Sequence, residues 1–163
     1  MLAVQRSFAR SFARGIVPRC GLHTASVFYN QGASQPKLAV QQNPAKIYDF
    51  SEIKKLLESG ATDSVLIDVR EPAELQQQGF IPTAINIPFK SAPGALNLPE
   101  DEFEDVFRFG KPAKDKEVIF YCHSGVRSSA AEELAGTFGY EKRGNYVGSF
   151  SDWVAQGGKI EKK

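Results

Sequence analysis

Cysteine, histidine, methionine and tryptophan are scarce in this chain: two, two, one and one among 163 residues. Cys20, Cys122, His23 and His123 are too few for a disulfide framework or an ordinary zinc site, so no metal and no cofactor is expected. Long apolar runs are also missing. No stretch approaches the roughly 18–20 apolar residues that a membrane-spanning helix needs. Net charge is nearly absent at +1, so no overall field draws nucleic acid or a membrane surface. What is present, 42% apolar and 24% charged residues, suits one globular domain with an appended tail.

The most telling absence is local. Residues 1–48 contain no Asp or Glu, yet hold Arg6, Arg10, Arg14, Arg19, Lys37 and Lys46, a charge of +6. The remaining 115 residues hold all 19 acids and 14 bases, a charge of −5. Arg6, Arg10 and Arg14 recur every fourth position and so share one helical face, with Phe8 and Phe12 roughly opposite. An Arg-rich, acid-free amphipathic start predicts a mitochondrial presequence over residues 1–20 and a matrix location. No apolar run of about 7–15 residues follows, which argues against a secretory signal. Residues 21–45 are rich in Gln, Asn, Ser, Pro and Gly and are expected to be a linker or residual presequence. Removal of the leader would take Cys20 with it and leave Cys122 as the only cysteine.

From residue 46 the pattern alternates. Ile47-Tyr48 suits a short strand. Asp49 with Glu52 fits a capping box before a helix bearing Phe50, Ile53, Leu56 and Leu57, which Gly60 closes. Residues 65–69, VLIDV, read as a strand buried on both faces. Pro72 opens a short helix to Gln78, which Gly79 ends. A strand is expected at 84–87, a helix at 100–109 stopped by Gly110, a strand at 117–121 and a helix at 128–138. A strand at 145–147 and a helix at 150–156 close the series. Strands alternating with helices predict a three-layer α/β fold: a central parallel sheet of about five strands with helices on both faces.

In such sheets sites form outside the carboxyl ends of the strands. Cys122 follows the EVIFY strand directly and precedes a helix. The segment Cys122-His123-Ser124-Gly125-Val126-Arg127-Ser128 combines three effects that favour a thiolate. Backbone N–H groups of a tight Gly loop can form an anion nest. The helix N-terminus adds orphan N–H groups and a positive dipole end. Arg127 adds a permanent cation suited to oxyanions. Surroundings of this kind bring a free thiol from about 8.5 to about 3.5–7.5. The alternative, a structural cysteine at a strand end, is common for a lone Cys but not for this loop.

At these residues the chain resembles the rhodanese family of sulfurtransferases. The loop is similar to the C-x-S-G-x-R-S loop of single-domain rhodaneses. Leu66-Ile67-Asp68-Val69-Arg70-Glu71 followed by Glu74 is similar to L-I-D-V-R-E-x-x-E. Residues 79–88 are similar to G-H-I-P-G-A-I-N-I-P, with Phe80 and Thr83 in place of the His and the second Gly. Gly148-Ser149-Phe150-Ser151-Asp152-Trp153 is similar to the closing G-[GS]-x-x-x-W. The resemblance covers about residues 46–160 and is nearest to small mitochondrial thiosulfate sulfurtransferases of fungi.

The resemblance implies ping-pong transfer through a persulfide on Cys122. Thiosulfate or a similar donor would supply the sulfane sulfur. Cyanide, glutathione, another thiol or an acceptor protein would remove it. His123, Ser124, Gly125, Val126, Arg127 and Ser128 would bind the donor and cradle the persulfide, with His123 either donating a proton or facing solvent. Asp68, Arg70 and Trp153 would support the site, Arg70 by bracing the loop or by pairing with Glu71 or Glu74. Two competing readings remain: a persulfide carrier to a protein partner, and a cysteine phosphatase or arsenate reductase. The latter carry His before the Cys and Arg six residues after it. Here Tyr121 precedes Cys122 and Arg127 comes five after, which suits a smaller guest than a tetrahedral phosphate.

Overall fold

A computed structural model of the chain describes residues 43–60 and 62–162. The expected presequence and nearly all of the expected linker lie outside the described residues. Strand β1 (Lys46–Tyr48) leads into helix α1 (Phe50–Ser59). The Asp49 carboxylate accepts the Glu52 N–H at 2.8 Å and the Glu52 carboxylate accepts the Asp49 N–H at 3.1 Å, the reciprocal cap its spacing predicts. Gly60 ends α1 at φ 60°, where a side chain would be disfavoured. Then come β2 (Ser64–Asp68), α2 (Pro72–Gln78) and β3 (Ile85–Asn86). A 3₁₀ turn (Ala95–Asn97) precedes α3 (Glu100–Phe107). Strand β4 (Glu117–Tyr121), α4 (Val126–Thr137), β5 (Arg143–Tyr146) and α5 (Ser149–Ala155) complete the order.

The five strands form one sheet in the order β1-β5-β4-β2-β3, and every neighbouring pair is parallel. Strand β4 is central, with Phe120 opposite Ile67 of β2 and Asn145 of β5. Its side chains alternate across the sheet. Val118, Phe120 and Cys122 join one buried cluster with Phe103 of α3 and Ala131 and Ala135 of α4. Ile119 and Tyr121 join the opposite cluster with Ile53 of α1 and Phe150 and Trp153 of α5. Helices therefore cover both faces, as the alternating pattern predicts.

The differences from expectation lie at element ends. Strand β5 begins two residues early, at Arg143, because that side chain is buried with its charge answered. It donates to Glu132 at 2.5 Å and to the carbonyls of Tyr140 at 2.7 Å and Asn43 at 2.9 Å. Gly144 follows because the Tyr48 ring leaves no room for a β-carbon, which would stand 2.4 Å from it. Helix α3 stops not at Gly110 but at Arg108, which takes the left-handed conformation at φ 63° and whose N–H closes on the Glu104 carbonyl at 2.8 Å. Thr83, where the family pattern has Gly, also lies at φ 65°. Helix α4 starts at Val126, so the loop after Cys122 is only three residues long.

Candidate active site

The centre of the sheet's carboxyl edge places Cys122, with 1% of its surface exposed. The carbonyl ends of this edge are turned toward α5. The Cys122 carbonyl accepts the Phe150 N–H at 2.9 Å and the His123 carbonyl accepts the Ser151 N–H at 3.0 Å. The orphan donors of α5 thus hold the end of β4 in place. The chain then turns through Ser124 into Gly125, which adopts φ 90°. The Gly125 N–H donates to Sγ of Cys122 at 3.1 Å. A β-carbon at Gly125 would stand 2.5 Å from the Val147 carbonyl oxygen, so both the backbone conformation and the space require glycine.

Burial alone would disfavour the thiolate. The N–H groups of Ser128 and Ser124, the Ser128 hydroxyl and the Gly125 N–H outweigh it, and the Cys122 thiol is held below its ordinary value. The Ser128 hydroxyl is also within 2.9 Å of the Gly125 carbonyl. Its single proton can serve the carbonyl in the thiol state and the sulfur in the thiolate state. Ser124 sits on the exposed rim of the loop, with His123 and Val126. The contacts of His123 are made by its carbonyl, which also takes the Ser151 hydroxyl.

Arg127 lies at the start of α4, one-fifth exposed, and is not free. Its two terminal nitrogens donate to Glu74 of α2 at 2.6 and 2.8 Å. That fork-to-fork bond, working against desolvation, pulls the Glu74 carboxyl down to about 2. The spacing of Arg70 and Glu74 suggests a different pairing, of Arg70 with Glu74. Arg70 instead turns inward. Its Nε is 3.1 Å from both Asp68 oxygens and a terminal nitrogen is 2.6 Å from one of them. The same guanidinium donates to the Gly79 carbonyl at 2.9 Å and lies 3.9 Å over the Phe150 ring. Asp68 and Arg70 are therefore a fully buried brace beneath β2. Trp153 is likewise core: its indole N–H donates to the Lys159 carbonyl at 2.8 Å and its ring tilts against Phe50. It also walls a cavity of about 490 Å³ between α1 and the end of α5, which none of the Cys122 loop residues lines.

Two members of the site were not singled out for it from the sequence: Glu74 and Ser149. The Ser149 hydroxyl accepts the Cys122 N–H at 3.2 Å, donates to the Tyr146 carbonyl at 2.9 Å and stands 3.9 Å from Sγ. Its backbone is at φ 56°, unusual for a non-glycine residue. Both lie in segments that carry the resemblance, but their partners are 53 and 27 residues away, and only the fold joins them. Among the described residues no cluster of three His, Cys, Asp or Glu side chains is placed to hold a metal. The arrangement offers a buried, activated sulfur in a small ring of N–H donors, with an ion-paired guanidinium beside it.

Residues 49–156 match the rhodanese-like domain family. A mitochondrial thiosulfate sulfurtransferase of Saccharomyces cerevisiae, RDL2, is 53% identical over 113 residues, covering 69% of this chain and 75% of that one. The thiosulfate:glutathione sulfurtransferase of the same yeast is 41% identical over 111 residues, covering 68% and 79%. The crystal structure of yeast RDL2 superposes with a TM-score of 0.67 at 51% identity, over 71% of this chain and 93% of that one. The human single-domain sulfurtransferase TSTD1 gives 0.62 at 32% identity, over 69% and 98%.

Proposed function

The chain belongs to the rhodanese-like domain family, and from that premise we propose that it is a thiosulfate sulfurtransferase working through a persulfide on Cys122. The observation that carries this reading is the Gly125 N–H aimed at Sγ from 3.1 Å, in a loop whose donors lower the thiol below its usual range. A thiolate attacks the sulfane sulfur of thiosulfate, the S–S bond to the sulfonate breaks, and sulfite leaves with the electron pair. Charge is conserved: the cysteine keeps one negative charge, now on the outer sulfur, and sulfite carries two. The loop donors that stabilised the thiolate then face the persulfide. An acceptor thiolate or cyanide attacks the outer sulfur and returns Cys122 to its thiolate. With Cys20 in the expected leader, no second cysteine of the domain can resolve the persulfide, so the acceptor comes from outside.

Glutathione, another small thiol or a protein thiol fits the acceptor role, because His123, Ser124 and Val126 leave the loop rim exposed. The name of a yeast relative, thiosulfate:glutathione sulfurtransferase, supports glutathione among these. The acid-free leader, together with the mitochondrial name of another relative, supports a matrix address. Intact mass after incubation with thiosulfate tests the chemistry. One sulfur atom is gained, cyanide or thiol removes it, and Cys122→Ser gains none. No gain in the parent chain, or an undiminished gain in that variant, rejects the mechanism. A reporter fused to residues 1–45 is imported into mitochondria; a diffuse cytosolic signal rejects the address.

A further inference from the structure

The cation of the loop is paired before any donor arrives. Glu74 takes one N–H from each terminal nitrogen of Arg127, at 2.6 and 2.8 Å, which fixes the plane of the guanidinium. Glu74 is itself held from behind: the Glu71 N–H donates to it at 3.0 Å. The Glu71 carboxylate in turn accepts the Lys90 N–H at 3.2 Å and the Ser91 hydroxyl. A relay of hydrogen bonds thus joins the 90–91 loop, the first turn of α2 and the first turn of α4. A guanidinium has five N–H groups. Glu74 occupies two and leaves three for an anion, on a side chain that is one-fifth exposed.

A free arginine would draw a dianion by charge alone and hold it in many orientations. An arginine locked to a carboxylate has little net charge to offer over distance. It retains directional donors at close range, where hydrogen bonds to an ionised oxygen are strong. Sulfur transfer needs direction more than attraction, because only the terminal sulfur of the donor is productive.

We propose that Glu74 is a positioning residue for the donor half-reaction, setting Arg127 so that its remaining N–H groups engage the sulfonate end of thiosulfate while the sulfane sulfur meets Cys122. The inference rests on the sulfurtransferase reading above. In the acceptor half-reaction the sulfonate has gone, and Glu74 has nothing left to orient. Its removal therefore slows one half-reaction and spares the other.

The test separates the two halves by steady-state kinetics, with rates normalised to the fraction of chains that carry a persulfide at saturating thiosulfate, counted by mass. Glu74→Ala lowers kcat/KM for thiosulfate by about tenfold, through loss of a donor bond to an ionised group. It leaves kcat/KM for cyanide within about twofold. Glu74→Gln, which keeps one acceptor for Arg127, falls between. A merely structural brace would shrink the persulfide-carrying fraction and shift both normalised half-reactions alike, and that result overturns the proposal. So does an unchanged thiosulfate kcat/KM in Glu74→Ala. If the parent chain gains no sulfur, the reading beneath it has failed instead, and the two failures are distinguishable.

Discussion

Replacing Asp68 with Asn keeps the side-chain shape and removes one charge from a pair that has no access to water, since Asp68 and Arg70 are both 0% exposed. The Asp68 carboxylate accepts from Nε of Arg70, from a terminal nitrogen at 2.6 Å and from the Arg70 backbone N–H at 2.9 Å. An amide cannot accept all of these, and one of its ends must present N–H groups to a cation. Breaking one side of a buried pair costs about 3–5 kcal/mol. The Phe150 ring under the guanidinium and the Gly79 carbonyl remain, so the lower end applies, about 3 kcal/mol. For a domain of this size that lowers Tm by roughly 9–15 °C. Urea unfolding followed by the fluorescence of Trp153, the sole tryptophan, gives the loss directly as a shift in midpoint at constant slope. Arg70→Met costs a similar amount, because it strands a buried carboxylate. The double variant Asp68→Leu with Arg70→Met returns to within about 1 kcal/mol of the parent, since neither charge is left buried. Persulfide loading per folded chain stays unchanged throughout, because the pair does not touch Sγ. A loss below about 1 kcal/mol in Asp68→Asn, or simple additivity in the double variant, refutes the brace.

Gly125→Ala forces a β-carbon to within 2.5 Å of the Val147 carbonyl oxygen and a left-handed backbone at φ 90°; persulfide loading is lost and Tm falls, read by intact mass and thermal unfolding. Ser128→Ala removes a hydroxyl that favours the thiolate, so the thiol value rises and alkylation by iodoacetamide at pH 7 slows by roughly threefold to tenfold, measured as a rate-against-pH profile. The Glu74 carboxyl, about 2 when folded, lies below its unfolded value. Its contribution is therefore complete above the ordinary carboxylate range and is lost as pH falls toward 2. Stability against pH for the parent and Glu74→Gln should differ at pH 7 and converge in acid; a constant gap contradicts the ion pair.

What the sequence made legible follows from local physics. The capping box at Asp49 and Glu52, the doubly buried run at 65–69 and the strand running into Cys122 each depend on neighbours within a few positions. The structure places the cap and the strand before Cys122 where that pattern puts them, and the buried strand one residue earlier, at Ser64–Asp68. The sheet order is less local, yet alternation of strands and helices already restricts it. The start of β5 was hidden because Arg143 and Gly144 look like loop residues. They become strand residues only when Glu132 answers the charge and the Tyr48 ring needs the missing β-carbon. The end of α3 was missed for a related reason: Arg108 takes a left-handed turn that Gly110 would have taken without strain.

The site divides the same way. Its nucleophile and the N–H ring lie within one short segment, and residue order alone brings them together. The partner of Arg127 does not. Glu74 is four residues after Arg70 and 53 before Arg127, so spacing along the chain favours the former. Burial reverses that preference. Arg70 follows directly from β2 and is drawn under the sheet edge, where Asp68, Gly79 and the Phe150 ring hold it. Glu74, in the first turn of α2, stays at the surface and meets the cation that α4 delivers there. Two arginines and two carboxylates thus sort by depth, one pair to hold the fold and one to face the donor. A stretch of sequence read in one dimension carries no measure of depth, and for that reason the assignment of partners had to come from the fold.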